Sequence, residues 1–294
     1  MTEKRQNQDT LQRFIFEKHH VRGVIVHLNA SFKAALAHRQ YNLTIRKLLG
    51  ETLSAAALLA STIKFKGKLS LQLQGDGPLK LLLAQINDSL QLRCLAMTRE
   101  SVRGGFARVM GKGHLLMNIS QDNSTDHYQA VTQLEGKSIA DTLAHYFEQS
   151  EQLATRFWLF SNKDEAVGLL LQCMPGEPKG SLFWEHVNVL AQTITAKELL
   201  SLPNHTILHR LFHQEDVRIF EEEMISFRCN CSVEKMETAL LQLGKQDAEE
   251  LIKEEGNVKI NCDFCNRDYV FDAVDVAHLF AKGHRIDDAP SHKQ

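Results

Sequence analysis

The sequence predicts an α+β fold with a largely antiparallel sheet in its N-terminal part, a mainly helical linker after it and a small four-cysteine segment at its end. Three observations predict this arrangement. Alternating apolar runs fill the first 178 residues, two prolines and two glycines crowd into 174–180, and two close cysteine pairs lie beyond. Many strands with few helices indicate an α+β architecture, and a Pro/Gly cluster punctuates the chain. At 294 residues the chain exceeds the usual single-domain size.

Each element follows from a local pattern. In GVIVHL, Val24, Val26 and Leu28 alternate as in a short strand. From Leu43 to Ile63 the spacing of Ile45, Leu48, Leu49, Leu53, Ala56 and Ala60 is helical, with one broad apolar face. LSLQLQGDGPLKLLLAQ then alternates: Leu69, Leu71 and Leu73 point one way, a Gly75–Pro78 turn follows, and Leu79, Leu81 and Leu83 continue on a second strand. Further strands are expected near 90–97, 114–119, 127–134, 155–160 and 166–172, interrupted by one helix from Ser138, a natural N-cap, to about Leu153.

Beyond the Pro/Gly cluster, 181–213 reads as helices only. Thr195 and Glu198 form a capping box opening KELLSL, Pro203 closes that helix, and Asn204 is expected to cap the next, with Ile207, Leu208, Leu211 and Phe212 on one face. These helices have few partners of their own, so their apolar stripes must rest on another domain. In the last segment Ser232 caps a helix ending at Gly244, a second short helix runs to Gly256, VKI and YVF flank the CxxC as a hairpin, and Asp272 caps AVDVAHLF.

Composition narrows the function. The 34 basic and 36 acidic residues nearly balance, so no global field draws the chain to nucleic acid or acidic lipid. The opening MTEKRQNQDT lacks an apolar core for export and no long apolar run occurs, so no membrane association is expected and a reducing cytoplasm is the default. There, clustered thiols are more suited to metal binding or redox sensing than to permanent disulfides.

Cys229 and Cys231 form a CxC pair, Cys262 and Cys265 a CxxC pair, with thirty residues between. Two thiol pairs brought together by folding are the sequence form of a tetrahedral zinc site. The surrounding segment has few large apolar side chains, so a metal ion is a natural source of its folding energy. A static structural site and a redox-active one both fit, since cysteines two or three residues apart can close on each other after oxidation. A thioredoxin-like CxxC belongs at a helix N-terminus, whereas this one lies between strand-like runs. Four lysines against eight carboxylates across 229–265 disfavour a nucleic-acid finger. Cys94 and Cys173 read as small buried hydrophobes. His114 and His127 lack ligand spacing, and the glycines at 75–77 and 111–113 read as turns. No Ser-His-Asp or paired-carboxylate arrangement stands out, so an enzyme is not expected.

The thiol spacing, together with LQLQGDGPL at 71–79, YFEQSEQLATR at 146–156, GLLLQCMP at 168–175, ELLSLPNHTILHRLFHQEDV at 198–217 and FRCNCS at 227–232, resembles the bacterial redox-regulated 33 kDa heat-shock chaperone family. The resemblance spans nearly the whole chain. Asn42, Ala130 and the run Val233-Glu234-Lys235 depart from the family pattern, and none removes a candidate ligand. The resemblance implies a cytoplasmic, ATP-independent holdase: a 1–178 chaperone domain, a 179–228 linker and a 229–294 zinc-binding redox switch. It implies Zn2+ on Cys229, Cys231, Cys262 and Cys265 in the inactive reduced form. Oxidation would join Cys262–Cys265, release zinc, then join Cys229–Cys231, unfolding the C-terminal domain and linker to expose a surface for unfolding client proteins. It further implies a homodimer when oxidised and hand-off of held clients to ATP-dependent foldases. The residues that touch clients are not legible.

Overall fold

The computed structural model describes residues 9–121, 127–177 and 180–287. The chain divides after Arg228 into two compact units. The boundary expected at 178/179 falls on Pro178 and Lys179, and the opening MTEKRQNQ likewise lies outside the described residues.

In the first unit the elements run β1 (Thr10–Phe16), β2 (Val21–Leu28), α1 (Ala30–Leu36), α2 (Leu43–Thr62), β3 (Gly67–Gly75), β4 (Leu79–Asn87), β5 (Gln91–Thr98), α3 (Phe106–Met110), β6 (Gly113–Gln121) and β7 (His127–Gln133). They continue through α4 (Ile139–Tyr146), β8 (Thr155–Ser161), β9 (Ala166–Cys173), α5 (Leu182–Gln192), α6 (Ala196–Ser201), α7 (Asn204–Phe212), β10 (Val217–Met224) and β11 (Ser226–Phe227). Two sheets result, ordered β10-β1-β2-β9-β8 and β11-β5-β4-β3-β6-β7. All their pairings are antiparallel except β11 on β5. The expected α+β, largely antiparallel domain is therefore observed.

Helix α2 lies between the sheets. The pattern forecast a single apolar face, yet 14 of its 20 residues are buried. Its small residues make this fit: a Cβ on Gly50 would stand 2.2 Å from the hydroxyl of Ser161. Leu53, Leu58 and Leu59 share one core with Val24, Val26 and Leu28 of β2 and Leu69, Leu71 and Leu73 of β3.

The first sheet is buried on its other face too. There Ile25, Val167, Leu169 and Leu171 meet Trp184, Val187, Leu199, Ile207, Leu211 and Phe212 of α5–α7. The apolar stripes of these helices do rest on a platform, as their pattern required, and that platform belongs to the same compact unit. Burial on both faces explains why β2 and β9 are buried almost throughout rather than alternately.

Other features also differ from the sequence reading. Strand β1 was not expected; it pairs with β2 and β10. The α-helix from Ser138 ends at Tyr146, continues as one π-turn over Phe147–Glu151 and stops at Gln152, whose φ is 55°. The segment expected to be mainly helical ends in β10 and β11. Asn204 is the first residue of α7, and Pro203 holds the cap position. The Asn204 side chain instead meets the Nε2 of buried His27 at 2.8 Å and donates to Glu222 at 3.3 Å, joining β2, α7 and β10.

Candidate metal centre

The second unit comprises α8 (Val233–Leu243), α9 (Lys245–Glu255), β12 (Val258–Asn261), β13 (Asp268–Phe271) and α10 (Ala273–Asp287). Ser232 caps α8 by accepting from the Lys235 N–H, Gly256 ends α9 with φ 77°, and Asp272 accepts from the N–H groups of Val274 and Asp275 at the head of α10. β12 and β13 pair antiparallel from Val258↔Phe271 to Asn261↔Asp268.

The knuckle that joins these strands presents the CxxC thiols. The Cys262 N–H donates to Arg267 O at 2.9 Å and the Asn266 N–H to Cys262 O at 2.8 Å. Such a turn needs a left-handed residue, and Asn266 supplies it at φ 55°. On the other side, the CxC runs in irregular backbone just before the α8 cap. The core beneath is small: Leu240, Ala248, Val258, Cys262, Tyr269, Phe271 and Val276 are its buried members among the described residues.

The four sulfurs of Cys229, Cys231, Cys262 and Cys265 lie within 4.8 Å of one another. Cys229 and Cys262 are 3.7 Å apart, Cys231 and Cys265 3.5 Å. A tetrahedral ion with metal–sulfur bonds of about 2.3 Å separates its sulfurs by roughly 3.8 Å, so these spacings and the all-thiol donor set fit one ion. The Tyr269 hydroxyl donates to Cys231 Sγ at 3.1 Å, and the Lys235 ammonium donates to Asn230 O at 2.6 Å between the CxC thiols.

A scan of family models matches residues 9–272 to the Hsp33 protein model. The chain belongs to the Hsp33 family. Among curated Hsp33 relatives it is 44% identical to the 33 kDa chaperonin of Nitrosococcus oceani over 277 residues, covering 94% of this chain and 96% of that one. It is 43% identical to the 33 kDa chaperonin of Pseudomonas aeruginosa over 284 residues, covering 94% and 95%. The crystal structure of the Thermotoga maritima 33 kDa chaperonin superposes with a TM-score of 0.82 at 23% identity, spanning 96% of this chain and all of that one. These Hsp33 names are those of chaperones, and the resemblance read from the motifs is thereby shown.

Electrostatics divides the thiols of this Hsp33 chain. Burial raises Cys231, but hydrogen bonds from Tyr269 and the neighbouring cysteines outweigh it and bring the thiol down to about 7. Burial pushes Cys265 up to about 12 against the pull of the Arg267 N–H, and burial likewise raises Cys229. Cysteine thiolates suit soft or borderline cations and two-electron oxidants alike.

The remaining candidates stand apart from the cluster. Cys94 on β5 is fully enclosed and burial pushes it up to about 12; Cys173, at the end of β9, rises to about 12 through burial and then Glu177 and Glu185. Both glycine motifs are turns, as expected, and they pack on each other: a Cβ on Gly75 would stand 2.0 Å from Met110 O, and the Asp76 carboxylate accepts from the Lys112 N–H at 2.8 Å. His114 lies on β6, and the His127 side chain is outside the described residues. The sequence reading missed Tyr269. Its signal was the DYVF alternation, which places Tyr269 and Phe271 together on the buried face beside the thiol knuckle. No helix among the described residues is long and apolar enough to cross a membrane.

Proposed function

We propose that this chain is a redox-regulated, ATP-independent holdase of the cytoplasm, with residues 1–178 as chaperone domain, 179–228 as linker and 229–294 as switch. Its resting form holds one Zn2+ on Cys229, Cys231, Cys262 and Cys265, and its partners are unfolding client proteins. The observation that carries this reading is the convergence of four sulfurs on a unit with only seven buried core residues among those described. Apparent zinc binding energy in small modules is on the order of 10 kcal/mol, enough to keep such a unit folded.

Oxidation removes that energy. Two thiolates and one hypochlorous acid yield one disulfide, chloride and hydroxide; with peroxide the products are a disulfide and two hydroxides. A disulfide sulfur no longer carries the charge that held zinc, so the ion leaves. In the compact cluster sulfur separations of 3.7 and 3.5 Å run between the CxC and the CxxC. Chain connectivity supports the pairs Cys262–Cys265 and Cys229–Cys231 themselves, and their order, CxxC first, rests on the family resemblance. Cysteines with one or two residues between them close short loops at low entropic cost.

The linker follows because it runs into the switch with only Arg228 between the end of β11 and Cys229. Undocking of α5–α7 would uncover both their own stripes and the facing sheet, giving clients an apolar surface. The oxidised form then dimerises and passes clients to ATP-dependent foldases. Hydrogen exchange on reduced and doubly oxidised protein, measured beside aggregation suppression, tests the proposal. Protection falls across about 181–280 and persists in the strands before 174; chaperone activity arising with unchanged exchange in 181–228 overturns the linker's role. Equal client binding in both redox states would instead identify a constitutive zinc-stabilised module.

A further inference from the structure

Tyr269 has its ring among the buried residues of the second unit and is itself only 7% exposed. On β13 it stands opposite Ile260 of β12, and the Arg267 guanidinium lies 5.3 Å from its ring centroid. A buried phenol requires a hydrogen-bond partner. Here that partner is a sulfur of the candidate metal centre, Cys231 Sγ at 3.1 Å. One side chain therefore has its apolar part in the core of the unit and its donor on the cluster that responds to oxidants.

We infer that the Tyr269 hydroxyl is a relay between Cys231 and the core of the second unit, slowing oxidation of the thiolate and promoting unfolding once oxidation has occurred. The inference rests on the proposed zinc-thiolate switch and assigns it a residue that binds no metal. In the reduced state the O–H donates to a thiolate, withdraws electron density from it and makes it a poorer nucleophile; such outer contacts tune metal-bound ligands. When Cys231 gives up its share of the electron pair taken by hypochlorous acid and forms an S–S bond, it becomes a neutral, weak acceptor. The hydroxyl is then a buried donor without an adequate partner, a state that favours the unfolded chain. Because the ring belongs to so small a core, expelling the hydroxyl to water takes a large part of that core with it.

The two roles have opposite consequences in Tyr269→Phe, which keeps the ring and removes only the donor. In full-length protein loaded with cobalt(II), the variant retains the tetrahedral ligand-field bands while its thiolate-to-cobalt charge-transfer band moves to lower energy. A fluorotyrosine placed at 269, a stronger donor of nearly the same volume, moves that band the other way and guards against a variant that folds poorly. With zinc bound, Tyr269→Phe releases the ion several-fold faster under limiting hypochlorous acid. Yet the doubly oxidised variant keeps more helical signal and more exchange protection across 232–276 than the oxidised parent. An unmoved cobalt spectrum with an unchanged release rate overturns the inference, and so does an oxidised variant as unfolded as the parent. If the parent itself takes up neither cobalt nor zinc stoichiometrically, the switch reading fails and the relay fails with it, a result distinguishable from failure of Tyr269 alone.

Discussion

The ring of Phe212, the last residue of α7, meets the ring of Phe16 on β1 edge to face, with centroids 5.1 Å apart. Phe212 also lies 6.2 Å from Phe14, and Phe16 lies 5.2 Å from Phe183 of α5. This aromatic cluster fastens α5 and α7 to a sheet of the first unit. Aromatic pairs contribute about 0.5–1.5 kcal/mol each beyond the area they bury, so the attachment is strong but finite.

Removing its centre uncouples docking from the thiols. Phe212 is 1% exposed, and truncating such a ring costs about 3–5 kcal/mol. Reduced, zinc-loaded Phe212→Ala is expected to undock α7 and suppress aggregation of a heat-labile client without oxidant. Light scattering of the client checks this, and a folded but inactive reduced variant argues against linker undocking as the activating step.

Loss of ligands has the complementary effect. A Cys262→Ser, Cys265→Ser double variant is expected to lose its stoichiometric zinc and the ordered structure of the second unit, while unit one keeps its exchange protection. Metal analysis with thiol titration decides it; full zinc retention places the ion elsewhere.

The two enclosed thiols predict the opposite outcome. Burial holds Cys94 and Cys173 at about 12, so neither forms a thiolate near neutrality. Cys94→Ala, Cys173→Ala is expected to lose roughly 1–2 kcal/mol through lost packing and to keep oxidation-dependent activity. Loss of switching in a folded double variant identifies the wrong thiols as sensors.

Glu51 makes the first unit pH-sensitive. Burial in α2 pushes its carboxyl up to about 7, only partly opposed by Lys47 3.9 Å away. A carboxyl whose folded value exceeds its unfolded one stabilises the fold fully below about 4.5, and that contribution is lost as pH rises through about 7. Glu51→Gln is expected to flatten this slope, removing a term on the order of 3 kcal/mol. Denaturant titrations at pH 5 and pH 8 measure the difference; parallel slopes in parent and variant refute it.

Glu198 has the reverse sign. Two donors from Arg210 at 2.5 and 2.8 Å, then Thr195, hold its carboxyl down to about 2. The contribution is present above about 4.5 and lost as pH falls toward 2. The pair is partly exposed, so Arg210→Met is expected to cost only about 1 kcal/mol, appearing first as faster exchange in α6 and α7. Exchange there that stays at the parent's rate removes this bridge from the docking account.

By itself the sequence determined what local spacing controls. Alternation marked β2 to β4, apolar runs marked β5 to β9, the capping box at Thr195 and Glu198 placed α6, Ser232 and Asp272 began their helices, and paired cysteines specified a thiolate cluster. These patterns are legible because a strand's period, a cap and a knuckle are settled within a few residues. What lay beyond that reach was decided only by tertiary structure. The burial of α2 on all sides came from two sheets closing on it, β10 formed because β1 offered an edge, and Asn204 left its expected cap to join His27 and Glu222. Arg210 found Glu198 across two helices, and Tyr269 found Cys231 across 38 residues of chain. Each of these partners is distant in sequence, and their free energy depends on side chains that meet only when the fold is complete.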